Sequence, residues 1–241
     1  MPDNLDNSQI MILHQFFPLR AVYLGKALLE WNKRDNVLEK WREQQIFKFI
    51  GLLTQNAEDL EVAFKEKRVT KLAWAARNLL ELAIWIDYCN LSNAHATRFR
   101  DDSARDLLGF SKAVQQLHIQ KKGTPDPRLE VSQTKLVGFA ETTLGVVGLG
   151  EDFTRVVKAA SELGREKEFG ALNKLFSKYA HPTSIALNSV VTVDADAGIR
   201  AMFLRDGIEL STDALTTIRD DMAKHFPQLE KMPGLGKGGN G

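Results

Sequence analysis

Two groups of side chains in this sequence combine residue types that hold anions or move protons. The first lies in "SKYAHPTSIAL" (177–187), where His181 directly precedes Pro182 at the end of a helix-forming stretch. Proline has no amide hydrogen and pushes the residue before it out of the helical region, so His181 is expected at or just past a helix C-terminus. An imidazole there can face a groove and move protons near neutral pH. The same position is also favourable for a purely structural histidine, because the negative end of the helix dipole attracts its protonated form. The second group is Arg77 and Glu81, four residues apart inside the very apolar "LAWAARNLLELAIWIDYC" (72–89), with Tyr88 about two turns further on the same side. Charges in such a helix are expected as a pair. The pair either fixes how neighbouring helices dock or forms the floor of an anion-binding pocket that includes Tyr88.

Other chemistries lack their residues. None of the five histidines has a partner at metal-ligand spacing on a helix. His95 and Asp102, seven apart, make only two candidate ligands. "GVVGLG" (145–150) is not an ordered phosphate-binding fingerprint, and there is no Walker loop, nucleophile elbow or paired-cysteine zinc motif. The reading therefore includes no metal and no cofactor. Lys plus Arg (32) nearly balances Asp plus Glu (31), which removes the global basic field of a nonspecific nucleic-acid binder and leaves only local patches. Cys89, the single cysteine, stands among apolar residues and is expected to be a buried thiol in a reducing, cytoplasmic setting. No signal peptide is evident, and Arg77, Glu81 and Asp87 make 72–89 a core helix instead of a membrane span.

The elements that must position these groups are helices. Apolar residues recur at spacings of three and four from Ile10 to about Gln120, predicting helices over 21–34, 37–67, 72–89 and 92–118. The stretch 72–89 is apolar nearly all round, as a helix surrounded by neighbours must be. Ser92 is the expected N-cap of the following helix. "KKGTPDPR" (121–128) is the strongest internal breaker and reads as a loop within one domain. Shorter helices are predicted over 129–147, 151–163 and 166–180. Between 190 and 210, β-branched residues and the Asp206-Gly207 dipeptide predict a small irregular or β-hairpin segment, with Ser211 capping a last helix. The fold class is thus an all-α bundle: residues 1–232 form a single helical domain and 233–241 a flexible, glycine-rich tail.

Three segments, "ARNLLELAIWIDYC" (76–89), "ATRFRDD" (96–102) and "EFGALNKLFSKYAHPTS" (168–184), together resemble an uncharacterised bacterial all-helical family with an Arg-x-x-x-Glu helix and a later His-Pro segment. That family in turn is distantly similar to HEPN-like helical domains, many of which are dimeric, metal-independent ribonucleases using an Arg and a His four to six residues later. The resemblance implies RNA or nucleotide binding, with His181 as general base or acid. No arginine stands at the matching distance before His181, and Lys174 and Lys178 are the nearest substitutes. Lysine lacks the planar, bidentate fit of arginine to phosphate. The alternative is a non-catalytic helical interaction protein of a bacterial regulatory or defence assembly. Partners under these readings are RNA or nucleotide, a second copy of the chain or another protein, and no membrane.

Overall fold

A computed structural model of the chain describes residues 40–143, 145–149, 154–181 and 193–225. The predicted helix at 21–34 and the tail at 233–241 lie outside these residues. Seven helices and no strand occur among the described residues: α1 (Lys40–Lys65), α2 (Val69–Leu91), α3 (Asn93–Lys122), α4 (Pro127–Thr142), α5 (Val156–Glu162), α6 (Glu166–Ala180) and α7 (Val193–His225). The all-α bundle predicted from periodicity is what forms.

The centre of the bundle is α2, which touches α1, α3, α5, α6 and α7. Its buried positions include Leu72, Ala73, Ala75, Ala76, Leu79, Leu80, Ala83, Ile84 and Ile86, which run almost round the helix. Many are alanines, so neighbouring axes can approach closely. Cys89 is buried at its end, as expected of a structural thiol. The turn from α2 into α3 is a single residue, Ser92, whose Oγ accepts from the His95 backbone N–H at 3.3 Å. The cap predicted from sequence is therefore made. Helix α3 ends at Gly123, whose φ of 78° is the left-handed value that lets its N–H reach back to the Ile119 carbonyl. After the predicted breaker, Asp126 caps α4 and Pro127 occupies its first turn. Helix α4 packs on α3, with Ala140 buried near Ala104, and the two form a hairpin on the flank of the bundle.

The predicted hairpin segment is not there. From residue 193 onward the chain is one helix, α7, running unbroken to His225, and Ser211 is fully buried within it. The Ser211 hydroxyl caps nothing; it donates back to the Gly207 and Ile208 carbonyls at 2.6 and 3.1 Å. Gly207 is present for space, not for a turn. A Cβ at this position would lie 2.6 Å from Leu60 Cδ2 and 3.0 Å from Leu60 Cδ1. Glycine lets α7 press against α1 at this level, where Leu60 is fully buried in a close-packed core.

This packing gives two glycines of one helix opposite behaviour. Gly207→Ala should destabilise the fold by about 1–3 kcal/mol through overpacking, despite a helix-propensity gain of roughly 1 kcal/mol. Gly198→Ala, where an added Cβ meets nothing within 4 Å, should stabilise it. Urea unfolding of both variants checks the sign. Equal gains would mean that α7 does not crowd Leu60.

Candidate functional site

Helix α6 carries His181 to its position and is held at both ends. At its start, Arg165 reaches both oxygens of Glu168 at 2.9 Å and also pairs with Asp87 of α2. The Thr217 hydroxyl of α7 donates to the other Asp87 oxygen at 3.0 Å. Arg165 is held protonated even more firmly than usual, first by its hydrogen bonds to Glu168 and against the cost of burial. In its second half, Phe176 and Tyr179 each meet the fully buried Phe203 ring of α7 edge to face, with centroids 5.4 Å apart. Asp87 thus meets the start of α6 and Arg77 its end, so α2 and α6 run antiparallel.

His181 ends α6 with extended backbone angles (φ −113°, ψ 157°), the geometry expected before proline. Its side chain does not simply cap the helix. The Arg77 Nη1 lies 2.9 Å from His181 Nε2, joining positions 104 residues apart in sequence. Arginine has donors only, so Nε2 is the acceptor and the ring proton sits on Nδ1. On the other side of the guanidinium, Arg77 Nε lies 3.2 Å from Glu81 Oε1. The angle there is too poor for a hydrogen bond, and the buried Nε–H has no acceptor in line. The Arg77 and Glu81 side chains are 28% and 33% exposed and His181 is exposed, so the trio opens to solvent between α2 and α6. The pair predicted at 77 and 81 exists, and it shares its site with His181.

Tyr88 does not belong to this trio. It shares a face of α2 with Arg77 but lies eleven residues along, about 16 Å at 1.5 Å per residue. Its ring is buried, edge-on to His95 (4.8 Å) and to Trp85 (5.8 Å). Burial first, and then the Glu162 carboxylate, raise the phenol pKa, against a hydrogen bond with Thr154. Lys174 and Lys178 stand exposed one turn apart on α6, on a stripe that leads toward residue 181. The arginine within hydrogen-bond distance of His181 comes from α2.

Tyr88 belongs to a second polar cluster that the sequence reading missed, built around Asp102 at the junction of α2, α3 and α5. One Asp102 oxygen accepts from Arg105 Nη1 at 2.8 Å and the other from the Thr154 N–H at 3.0 Å, with Arg98 closing from one turn away. Arg105 also donates from Nε to the Gly148 carbonyl (3.0 Å) and from Nη2 to that of Val147 (2.6 Å). It thereby clamps the 145–149 loop onto α3. Burial works to raise the Asp102 pKa, but the Thr154 and Arg105 hydrogen bonds and the Arg98 charge outweigh it and leave it lowered. The signal was present in "RFRDDSAR" (98–105), where Arg98, Asp102 and Arg105 follow at i, i+4 and i+7. His95, Nε2 to Glu162 Oε2 at 3.4 Å, borders this cluster. The Arg105 donors and the Thr154 N–H are all paired within the fold, so the cluster reads as a clamp.

Among the described residues no three His, Cys, Asp or Glu side chains gather as a metal site, and no helix is long and apolar enough to cross a membrane. Comparison of the chain with protein-family models, with curated proteins and with solved structures returns no match. The described residues define a class: an all-α bundle with a solvent-open Arg–His–Glu site between its central helix and the end of α6.

Proposed function

We propose that the chain is a HEPN-like helical module that binds RNA at Arg77 and His181 and cleaves it without a metal ion. The observation that carries this reading is the 2.9 Å approach of Arg77 Nη1 to His181 Nε2 at a solvent-open mouth. The resemblance noted from sequence asks for an arginine beside the histidine, and α2 supplies one in space. Arginine offers the planar donor fork that suits a phosphate. Glu81 keeps that guanidinium at the mouth, and Lys174 and Lys178 extend the positive charge along α6.

In the proposed reaction an entering phosphate draws the Arg77 guanidinium to itself and frees His181 Nε2. That nitrogen takes the proton of the ribose 2′-hydroxyl. The 2′-oxygen then bonds to phosphorus and the P–O5′ bond breaks. The departing 5′-oxygen takes a proton from the imidazolium, leaving a 2′,3′-cyclic phosphate. Arg77 stabilises the charge that builds on the non-bridging oxygens in between.

A non-catalytic interaction module is the second reading, and one feature favours it. The α3–α4 hairpin leaves Leu107, Phe110, Leu117, Val131 and Phe139 more than half exposed. Apolar residues concentrated on one hairpin are characteristic of a surface that meets another protein.

The test is single-stranded RNA incubated with purified protein in chelator. His181→Ala and Arg77→Ala should each lower cleavage by about 10²–10⁴-fold while the helical circular dichroism stays unchanged. Arg77→Lys, which keeps the charge and loses the fork, should recover only part of the rate. Cleavage that survives His181→Ala removes the mechanism. A wild-type protein that binds RNA without cutting it leaves the interaction module in front.

A further inference from the structure

One turn before Arg77 on the same face of α2 stands Trp74, 51% exposed, in a stretch whose other apolar residues (Leu72, Ala73, Ala75, Ala76) are almost completely buried. Residues three apart on a helix are neighbours, with Cβ atoms about 5–6 Å apart, so the indole borders the Arg77–His181 mouth. Lys71, also exposed, lies one turn further along the same face. The core makes little use of Trp74, since half of this large side chain remains in water. A flat aromatic surface flanked by Lys71 and Arg77 has the composition of a single-strand binding platform, in which cations hold the backbone and the ring takes a base.

Resting on the RNA reading above, we infer that Trp74 stacks against an unpaired nucleobase next to the phosphate held by Arg77, so that the site takes single-stranded and not duplex nucleic acid. Bases inside a duplex are already stacked on both faces and offer no free surface to an indole, whereas an unpaired base does. Stacking requires no hydrogen-bond code, so the site tolerates any base. The lysines Lys174 and Lys178 on α6 then lie along the strand's path beyond His181.

The probe is a fluorescently labelled 2′-O-methyl oligonucleotide, which lacks the reacting hydroxyl and stays intact, set beside an abasic strand of the same length and a duplex. Wild-type protein should bind the base-bearing single strand more tightly than either of the others. Trp74→Ala should weaken the base-bearing strand by about tenfold and leave the abasic strand unchanged, whereas Trp74→Phe should keep most of the affinity. Binding should quench tryptophan emission in the wild type, and Trp74→Phe should remove that quench although it still binds. Unchanged affinity in Trp74→Ala, or equal losses for the base-bearing and abasic strands, overturns the platform. The RNA reading fails differently. If Arg77→Gln leaves strand binding intact while Trp74→Ala weakens it, the Arg77 site is wrong and the platform stands. If the wild type binds no strand at all, both fall.

Discussion

Replacing Arg105 with methionine will destabilise the protein by about 3–5 kcal/mol, more than any surface change in the molecule. The side chain is 5% exposed, and its removal strands the buried Asp102 carboxylate together with the Val147 and Gly148 carbonyls. Replacing Asp102 as well, by asparagine, should recover part of the loss, because no unmatched charge then remains buried. The pair also sets an acid limit. Asp102 has a lowered pKa in the fold, so the unfolded chain binds more protons in the acid range. Its contribution is complete above the ordinary carboxylate value and is lost as pH falls through that value and below. Urea midpoints from pH 7 down to pH 3 should fall less steeply in Asp102→Asn than in the wild type. Parallel curves would assign the acid sensitivity to other carboxylates.

Phe203→Ala carries the second large effect, and it reaches the site without touching it. Phe203 is fully buried and receives both Phe176 and Tyr179 edge to face. Removing the ring should cost about 3–5 kcal/mol through lost burial and the cavity left behind. The same loss releases the last turn of α6, which carries His181 to Arg77. Hydrogen exchange should therefore accelerate in residues 172–181 well before α1 is affected. Phe203→Leu, which fills most of the space, should restore most of the stability. Uniform acceleration across all helices would mean that α6 has no separate anchorage on α7.

The helices from 40 to 180 were legible because one kind of order dominates them: apolar residues at three and four, a serine at the start of α3 and a Pro-Gly break after it. The first half of the last helix was not, although the helix expected after Ser211 is there as far as His225. Asp206-Gly207 is a turn signal only when both residues are free to turn, and here the missing Cβ is spent on contact with Leu60. Ser211 misled for a related reason, since a hydroxyl that can cap a helix can also bond back to the carbonyl four residues earlier. At the site, local sequence placed Arg77 with Glu81 and put His181 at a helix end, both as found. It could not join them, because periodicity describes the face of one helix and says nothing about which helix lies opposite. Tyr88 shows the converse error: a shared face is not a shared place when eleven residues of axial rise intervene.

The separation of Arg77 and His181 by 104 positions has a consequence for the order of synthesis. A growing chain that has emerged through α2 and α3 already carries the guanidinium but has nothing to place beside it. The imidazole follows only after α6 has been made, and Phe203, which holds α6 down, comes later still. The pair therefore assembles late, when α7 closes against α1 and α2, and a nascent chain that has not yet made α6 holds an incomplete site. For a protein whose proposed substrate is RNA, chain order itself then keeps the unfinished molecule from acting on the message and the ribosomal RNA around it.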